Sequence, residues 1–141
     1  MSVTLSPASI QAGQTSAASA TGLDQSNAPM ALGTVTWTSG TPAVASIAAN
    51  GAITGVSPGQ TQITALAGGK TGQATLTVTP APASQLAIVA GNNQTATVAA
   101  HVATAPSVIA KDAFNNPVGG VAVTFAVATG GGSVTGGVQT T

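Results

Sequence analysis

Cysteine, tyrosine, glutamate and arginine do not occur in this chain of 141 residues. Without cysteine there are no disulfides, thiolate metal ligands or cysteine nucleophiles. Charge is nearly missing as well. Asp24, Asp112, Lys70 and Lys111 are the whole charged set, 3 % of residues with a formal net charge of zero, where globular domains carry about 25 %. No basic stripe exists to neutralise phosphates and no arginine to read base edges, so nucleic-acid binding is excluded. Anionic membrane surfaces are excluded for the same want of clustered Lys or Arg. No run approaches about 18 consecutive apolar residues, so no membrane insertion by a helix is expected. The opening Met1-Ser2-Val3-Thr4-Leu5-Ser6-Pro7 has neither the basic start nor the apolar stretch of a signal peptide. The expectation is a segment that starts at a domain edge, or a protein that reaches its site without secretion, as virion proteins do.

What the chain does have is 43 % hydrophobic residues, many of them Val and Ile, interleaved with Thr. That content argues against disorder and for strands. Val35-Thr36-Trp37-Thr38, Gln62-Ile63-Thr64-Ala65-Leu66 and Ala74-Thr75-Leu76-Thr77-Val78-Thr79 alternate with period two, the pattern of antiparallel strands with one buried face. Turn signals separate them: Asn50-Gly51, Ser57-Pro58-Gly59, Gly68-Gly69-Lys70 and Asn116-Pro117. No stretch holds helical spacing over three turns. The reading is all-β, with short strands at the spacing of a sandwich. Asn50-Gly51 is the best hairpin signal, because both residues tolerate positive φ. Trp37, the only Trp, sits mid-strand where a sandwich places a core indole, and Phe125 has the same setting further on.

Pro80-Ala81-Pro82 divides the chain, since proline cannot donate to a ladder and stiffens an extended segment. The expected organisation is a sandwich over 1–80, a linker at 81–82 and a second, partial sandwich over 83–141. The second unit is too short for seven strands and stops at Gln139-Thr140-Thr141 in an apparent strand. It is expected to lack its last strands and to present an open edge.

Few residues could carry chemistry. His101 is the only histidine, and a Ser-His-Asp arrangement needs it oriented by Asp24 or Asp112 with no nucleophile elbow in sight. It is read as a loop or strand-end residue. One His and two distant Asp cannot build a metal site, calcium included. Lys111-Asp112 with Asn115-Asn116 reads as an Asx turn between strands, and Gly130-Gly131-Gly132 as a hairpin loop with no following helix to bind an anion. Asn93-Gln94-Thr95 matches the short N-glycosylation pattern but carries no weight alone. With no Tyr, and Trp37 assigned to the core, stacking on sugars is disfavoured. No catalytic, cofactor-binding or metal-binding residue is expected, and no enzyme.

Residues 3–79 resemble the bacterial Ig-like group 2 family. The likeness is carried by Val3-Thr4-Leu5-Ser6-Pro7-Ala8-Ser9-Ile10, Gly13-Gln14-Thr15, Val35-Thr36-Trp37-Thr38-Ser39, Val44-Ala45-Ser46-Ile47, Asn50 to Val56, Gly59 to Ala65 and Ala74 to Val78, in order. The segment from Gly22 to Leu32 departs from it. Residues 83–141 resemble an incomplete invasin- and intimin-type group 1 Ig-like domain, through Gly91-Asn92-Asn93-Gln94-Thr95, Ala110 to Val118, Gly120 to Val127 and Gly130 to Val134. The resemblance implies tandem immunoglobulin-like β-sandwiches in surface adhesins, envelope proteins, secreted hydrolases or phage particles, and it implies function only loosely.

Three readings follow from it. The leading one is a structural spacer or adhesion module of an extracellular, cell-surface protein, partnered by other domains of its chain or assembly. Hot-spot residues are scarce, which fits a spacer better than a recognition tip. The second is a decoration module of a phage virion. The third is a subunit completed by strand donation, forming a homo-oligomer or filament through the open edge of 83–141.

Overall fold

The computed structural model describes residues 1–141. It is all-β, with thirteen strands and no helix. Two compact units appear, Met1–Ala81 and Pro82–Thr141, and each is described by itself.

The first unit has nine strands. They are β1 (Ser2–Ser6), β2 (Ser9–Gln11), β3 (Thr15–Leu23), β4 (Pro29–Met30), β5 (Thr36–Ser39), β6 (Ala45–Ile47), β7 (Ala52–Gly55), β8 (Gly59–Ala67) and β9 (Lys70–Thr79). One sheet runs β1-β3-β7-β6 with β4 hydrogen-bonded to β3, and the other runs β2-β9-β8-β5. This is the two-sheet layout of an immunoglobulin-like sandwich. β1 and β2 are consecutive yet lie in different sheets. Pro7, which has no N–H to continue a ladder, stands at the switch, and the Ser16 hydroxyl donates to its carbonyl at 2.6 Å. Beyond it, β2 runs parallel to β9, with Ser9, Ile10 and Gln11 opposite Thr77, Val78 and Thr79.

The core follows from the alternation. Ile63 of β8 and Leu76 and Val78 of β9 point inward and are buried with Ile10, Ala45 and Ile53, and Ala65 of β8 is buried as well. Trp37 corrects the expectation of a core indole: it is only half-buried, packed on the side of that cluster with Leu5, Val44 and Ile47. The aliphatic chains, which fill the narrow space between the sheets without a ring edge to satisfy, take the centre. Two hydroxyls also join the interior. Thr61 is buried and its Oγ1 accepts from the Thr41 N–H at 2.8 Å. It lies 3.2 Å from Ser39 Oγ, which donates across to the Ala45 carbonyl of the opposite sheet at 2.7 Å.

The β6–β7 hairpin falls where Asn50-Gly51 is, with a different turn from the one expected. Only Gly51 has positive φ (84°). The Gly51 N–H donates to the Ala48 carbonyl, and the Ala48 N–H to the Ala52 carbonyl, giving a type I turn closed by a left-handed glycine. A Cβ at Gly51 would lie 2.6 Å from the Ala18 carbonyl oxygen and 3.5 Å from the Trp37 indole nitrogen.

The second unit holds β10 (Gln85–Ala90), β11 (Ser107–Lys111), β12 (Ala122–Thr124) and β13 (Val138–Thr140). They form two antiparallel pairs, β10-β11 and β12-β13. Ala110 and Val123 are its buried hydrophobics. Leu86, Ile88 and Val89 of β10 are exposed, and so are Val127, Val134 and Val138 near β12 and β13. The long connection from β10 to β11 is fastened by Gln94. Its amide donates to the Thr104 carbonyl at 2.6 Å and accepts from the Thr104 N–H at 2.7 Å, standing in for a ladder rung.

Candidate functional site

Both aspartates of the chain close turns of one design. After β3, the Asp24 carboxylate oxygen Oδ1 accepts from the Ser26 and Ala28 N–H groups at 2.8 and 2.9 Å. After β11, Asp112 Oδ1 accepts from the Phe114 and Asn116 N–H groups, both at 2.9 Å. In each turn the Asp N–H donates to the carbonyl four residues on, and the N–H three residues on donates back to the Asp carbonyl. In each, the fourth residue is an asparagine in the left-handed region, Asn27 at φ 60° and Asn115 at φ 65°, where asparagine is among the few tolerated side chains. A proline follows, Pro29 or Pro117. The Asx turn expected at Lys111-Asp112 is thus present, and the segment from Gly22 to Leu32, which departs from the family pattern, holds its twin.

The likeness reaches further than the turns. Asp24, Asn27, Pro29, Val35, Thr36 and Trp37 recur at the same spacing as Asp112, Asn115, Pro117, Val123, Thr124 and Phe125. Comparing the sequence with itself would have revealed this repeat. Local turn and strand signals span only a few residues and do not reach across a repeat of this length.

Environment separates the twins. Asp24 is exposed, whereas Asp112 is fully buried. A buried carboxylate is tolerated only with its oxygens hydrogen-bonded, and Asp112 Oδ2 also accepts from the Asn116 side-chain amide at 3.0 Å. No buried side-chain polar atom in the chain lacks a partner.

The remaining candidates are scattered. His101 is exposed in the connection between β10 and β11. Asn93 lies in the same connection with φ 55°, and the Gly130 to Gly132 run lies in the connection between β12 and β13. The structure brings none of these together.

A cleft of about 550 Å³ opens in the second unit between its two strand pairs, lined by Val108, Val123, Phe125, Ala126 and Val134 with Gln139 at its edge. Its lining has no ionisable side chain, so it offers apolar surface and backbone edges.

Comparison with known proteins adds the following. The family model for the bacterial Ig-like domain (group 2) matches residues 1–78. A search of curated proteins finds none that matches. Among solved structures, the chain is similar to domains 4 and 5 of the S-layer protein SbsC, with 23 % identity and a TM-score of 0.44, covering 77 % of this chain and 55 % of that one. It is similar to a longer SbsC fragment, residues 31–844, at 23 % identity and TM-score 0.44, covering 94 % of this chain and 20 % of that one. SbsC domains 5 and 6 match at 21 % identity and TM-score 0.40, covering 98 % and 79 %. The chain thus spans about half the length of the first of these and a fifth of the second.

Proposed function

Because the chain belongs to the bacterial Ig-like domain (group 2) family, we propose that it is a non-catalytic structural module of an extracellular, cell-surface protein, serving as a spacer or adhesion segment. Its working partners are the neighbouring domains of the same chain or assembly. We place the first sandwich at 1–80, a proline linker at 81–82 and a group 1-type module at 83–141. The observation that carries this reading is the use of the two carboxylates. Both are engaged in closing turns with neighbouring backbone N–H groups, so the chain's only acidic groups serve its fold. A surface of Thr, Ser, Gln and Ala with almost no charge or aromatic content also suits separation of other parts better than recognition.

The test is a binding screen of the purified chain against glycans and host surface proteins. Weak or unsaturable signals are expected. A saturable complex tighter than about 1 μM, roughly −8 kcal/mol, would replace the spacer reading with a recognition one.

A second reading, completion by a strand from a neighbour, is favoured by the apolar cleft and by the exposed β10 side chains Leu86, Ile88 and Val89. An uncharged apolar edge strand is a template for pairing. Light scattering across concentrations separates the two: a monomer of 13.2 kDa keeps the spacer reading, and discrete oligomers favour completion.

A further inference from the structure

We infer that the second unit pairs with a second copy of itself along one edge of β12, with Thr124 on the two-fold axis. This rests on the completion reading, to which it adds the occupant and the register. In an L-chain the direction of a side chain fixes the edge to which the same residue turns its N–H and C=O. Trp37 of β5 packs on the first core, and Phe125, just after β12, faces the cleft. Both point inward, so the two strands can be compared edge for edge.

β5 bonds to β8 through its even-numbered residues. The Gly40 N–H donates to the Gln62 carbonyl at 2.8 Å, and Thr38 lies opposite Thr64. β12 bonds to β13 through odd-numbered residues. The Phe125 N–H donates to the Gly137 carbonyl at 2.6 Å, and the Thr141 N–H donates to the Val121 carbonyl at 3.0 Å. β13 therefore lies on the edge of β12 opposite to the one that β8 takes on β5. The other edge, to which Ala122, Thr124 and Ala126 turn their N–H and C=O groups, has no strand beside it.

Three features fit a second copy to that edge. The run Val121-Ala122-Val123-Thr124-Phe125-Ala126-Val127 reads almost the same in both directions about Thr124. Laid antiparallel on itself, it sets Thr124 opposite the copy's Thr124, Ala122 opposite Ala126, and Val121 opposite Val127, with the even residues hydrogen-bonded. Val123 then meets the copy's Phe125, a favourable pair of β-branched and aromatic side chains, on the face that lines the cleft. Charge does not oppose the pairing: sheet edges are commonly guarded by Lys or Pro, and this run has no charged residue and no proline. Area suffices as well. Two separate globules the size of these units expose about 7,700 Å² together, whereas the chain exposes 8799 Å². That excess is larger than the ~800 Å² each partner gives to a standard interface.

The experiment is light scattering of the whole chain across concentrations, joined to disulfide capture. A dimer of twice 13.2 kDa is expected. Thr124→Pro removes an N–H at the open edge and spares the β12–β13 bonds, and should weaken the dimer at least tenfold while its thermal melt stays that of the parent. Capture reads the register without that variant, since the chain has no cysteine of its own. Thr124→Cys places the two Cα atoms about 5.5 Å apart, within disulfide reach, and should cross-link. Ala122→Cys holds its two copies about 14 Å apart and should not. Equal capture by both variants would overturn the pairing, and so would a monomer at every concentration. In the monomer case a synthetic strand of the β8 sequence, residues 59–67, separates the two ideas: its binding keeps the completion reading, and its failure to bind removes that as well.

Discussion

Asp24 and Asp112 close turns with the same bonds, each leading at the same spacing to a Val-Thr-aromatic strand, yet they stand at the head of two different interiors. In the first unit the aromatic, Trp37, packs on a cluster that buries Ile10, Ile53, Ile63, Leu76 and Val78. In the second, Phe125 faces an open cleft. The turn is a local device: an aspartate, an asparagine that accepts positive φ and a proline that ends the turn suffice to form it. Burial is not local. The strands that seal the first interior, β8 and β9, come from the far end of that unit's sequence, and the second unit has no such hairpin over Phe125.

The sharpest way to break this comparison is to remove core volume from both units. Leu76→Ala, or truncation of Ile63 to alanine, should destabilise the first unit by about 2–5 kcal/mol, the range for fully buried aliphatic side chains. Phe125→Ala, at a half-buried site beside the cleft, should cost below about 1.5 kcal/mol. Urea unfolding followed by circular dichroism reads both, and equal losses would mean that the second interior is as well packed as the first.

The next effect is at Gly51. Its φ of 84° and the 2.6 Å approach of an added Cβ to the Ala18 carbonyl predict that Gly51→Ala costs about 1–3 kcal/mol, measured as a drop in the melting temperature of the first unit. Thr61→Val should cost about 1–2 kcal/mol, because it leaves the Thr41 N–H without its acceptor. A stability unchanged in the valine variant would mean that water replaces the hydroxyl.

The paired turns offer a finer contrast. Asp112→Ala leaves two N–H groups unpaired in a part-buried setting and removes a buried carboxylate, whereas Asp24→Ala leaves two in an exposed turn. About 1–3 kcal/mol is expected for the first and below about 1 kcal/mol for the second. Hydrogen exchange at Phe114 and Asn116, against Ser26 and Ala28, reads the loss amide by amide. The smallest expected effect is that of salt. With two Asp and two Lys in the whole chain, moving from low salt to about 0.15 M NaCl should shift unfolding by less than about 0.3 kcal/mol.

Much of this fold was legible in the sequence, for reasons that particular residues make plain. Ala74-Thr75-Leu76-Thr77-Val78 alternates without interruption, and its apolar row is the buried row of β9. Asp112 beside Asn115 gave the second turn, because side-chain-to-backbone bonding needs no distant partner. Less visible were features that depend on distant strands. Nothing near Pro7 says that the chain changes sheets there, since the partner, β9, lies at the other end of the unit. Thr61 sits in a polar-looking run, and its hydroxyl is taken up by Ser39 of the neighbouring strand β5 and by Thr41 just after it. Gln94 was met as part of a modification pattern, and its clasp on Thr104 spans a connection whose path short-range signals do not trace.

The position of Trp37 has a use outside stability. It is the chain's one indole, there is no tyrosine, and the two phenylalanines, Phe114 and Phe125, both fall in the second unit. Ultraviolet emission from this protein therefore comes from a single reporter lodged beside the β6–β7 turn, while the second unit is optically dark. The two halves of the molecule can be watched separately without any label, fluorescence following the first and backbone dichroism the sum of both.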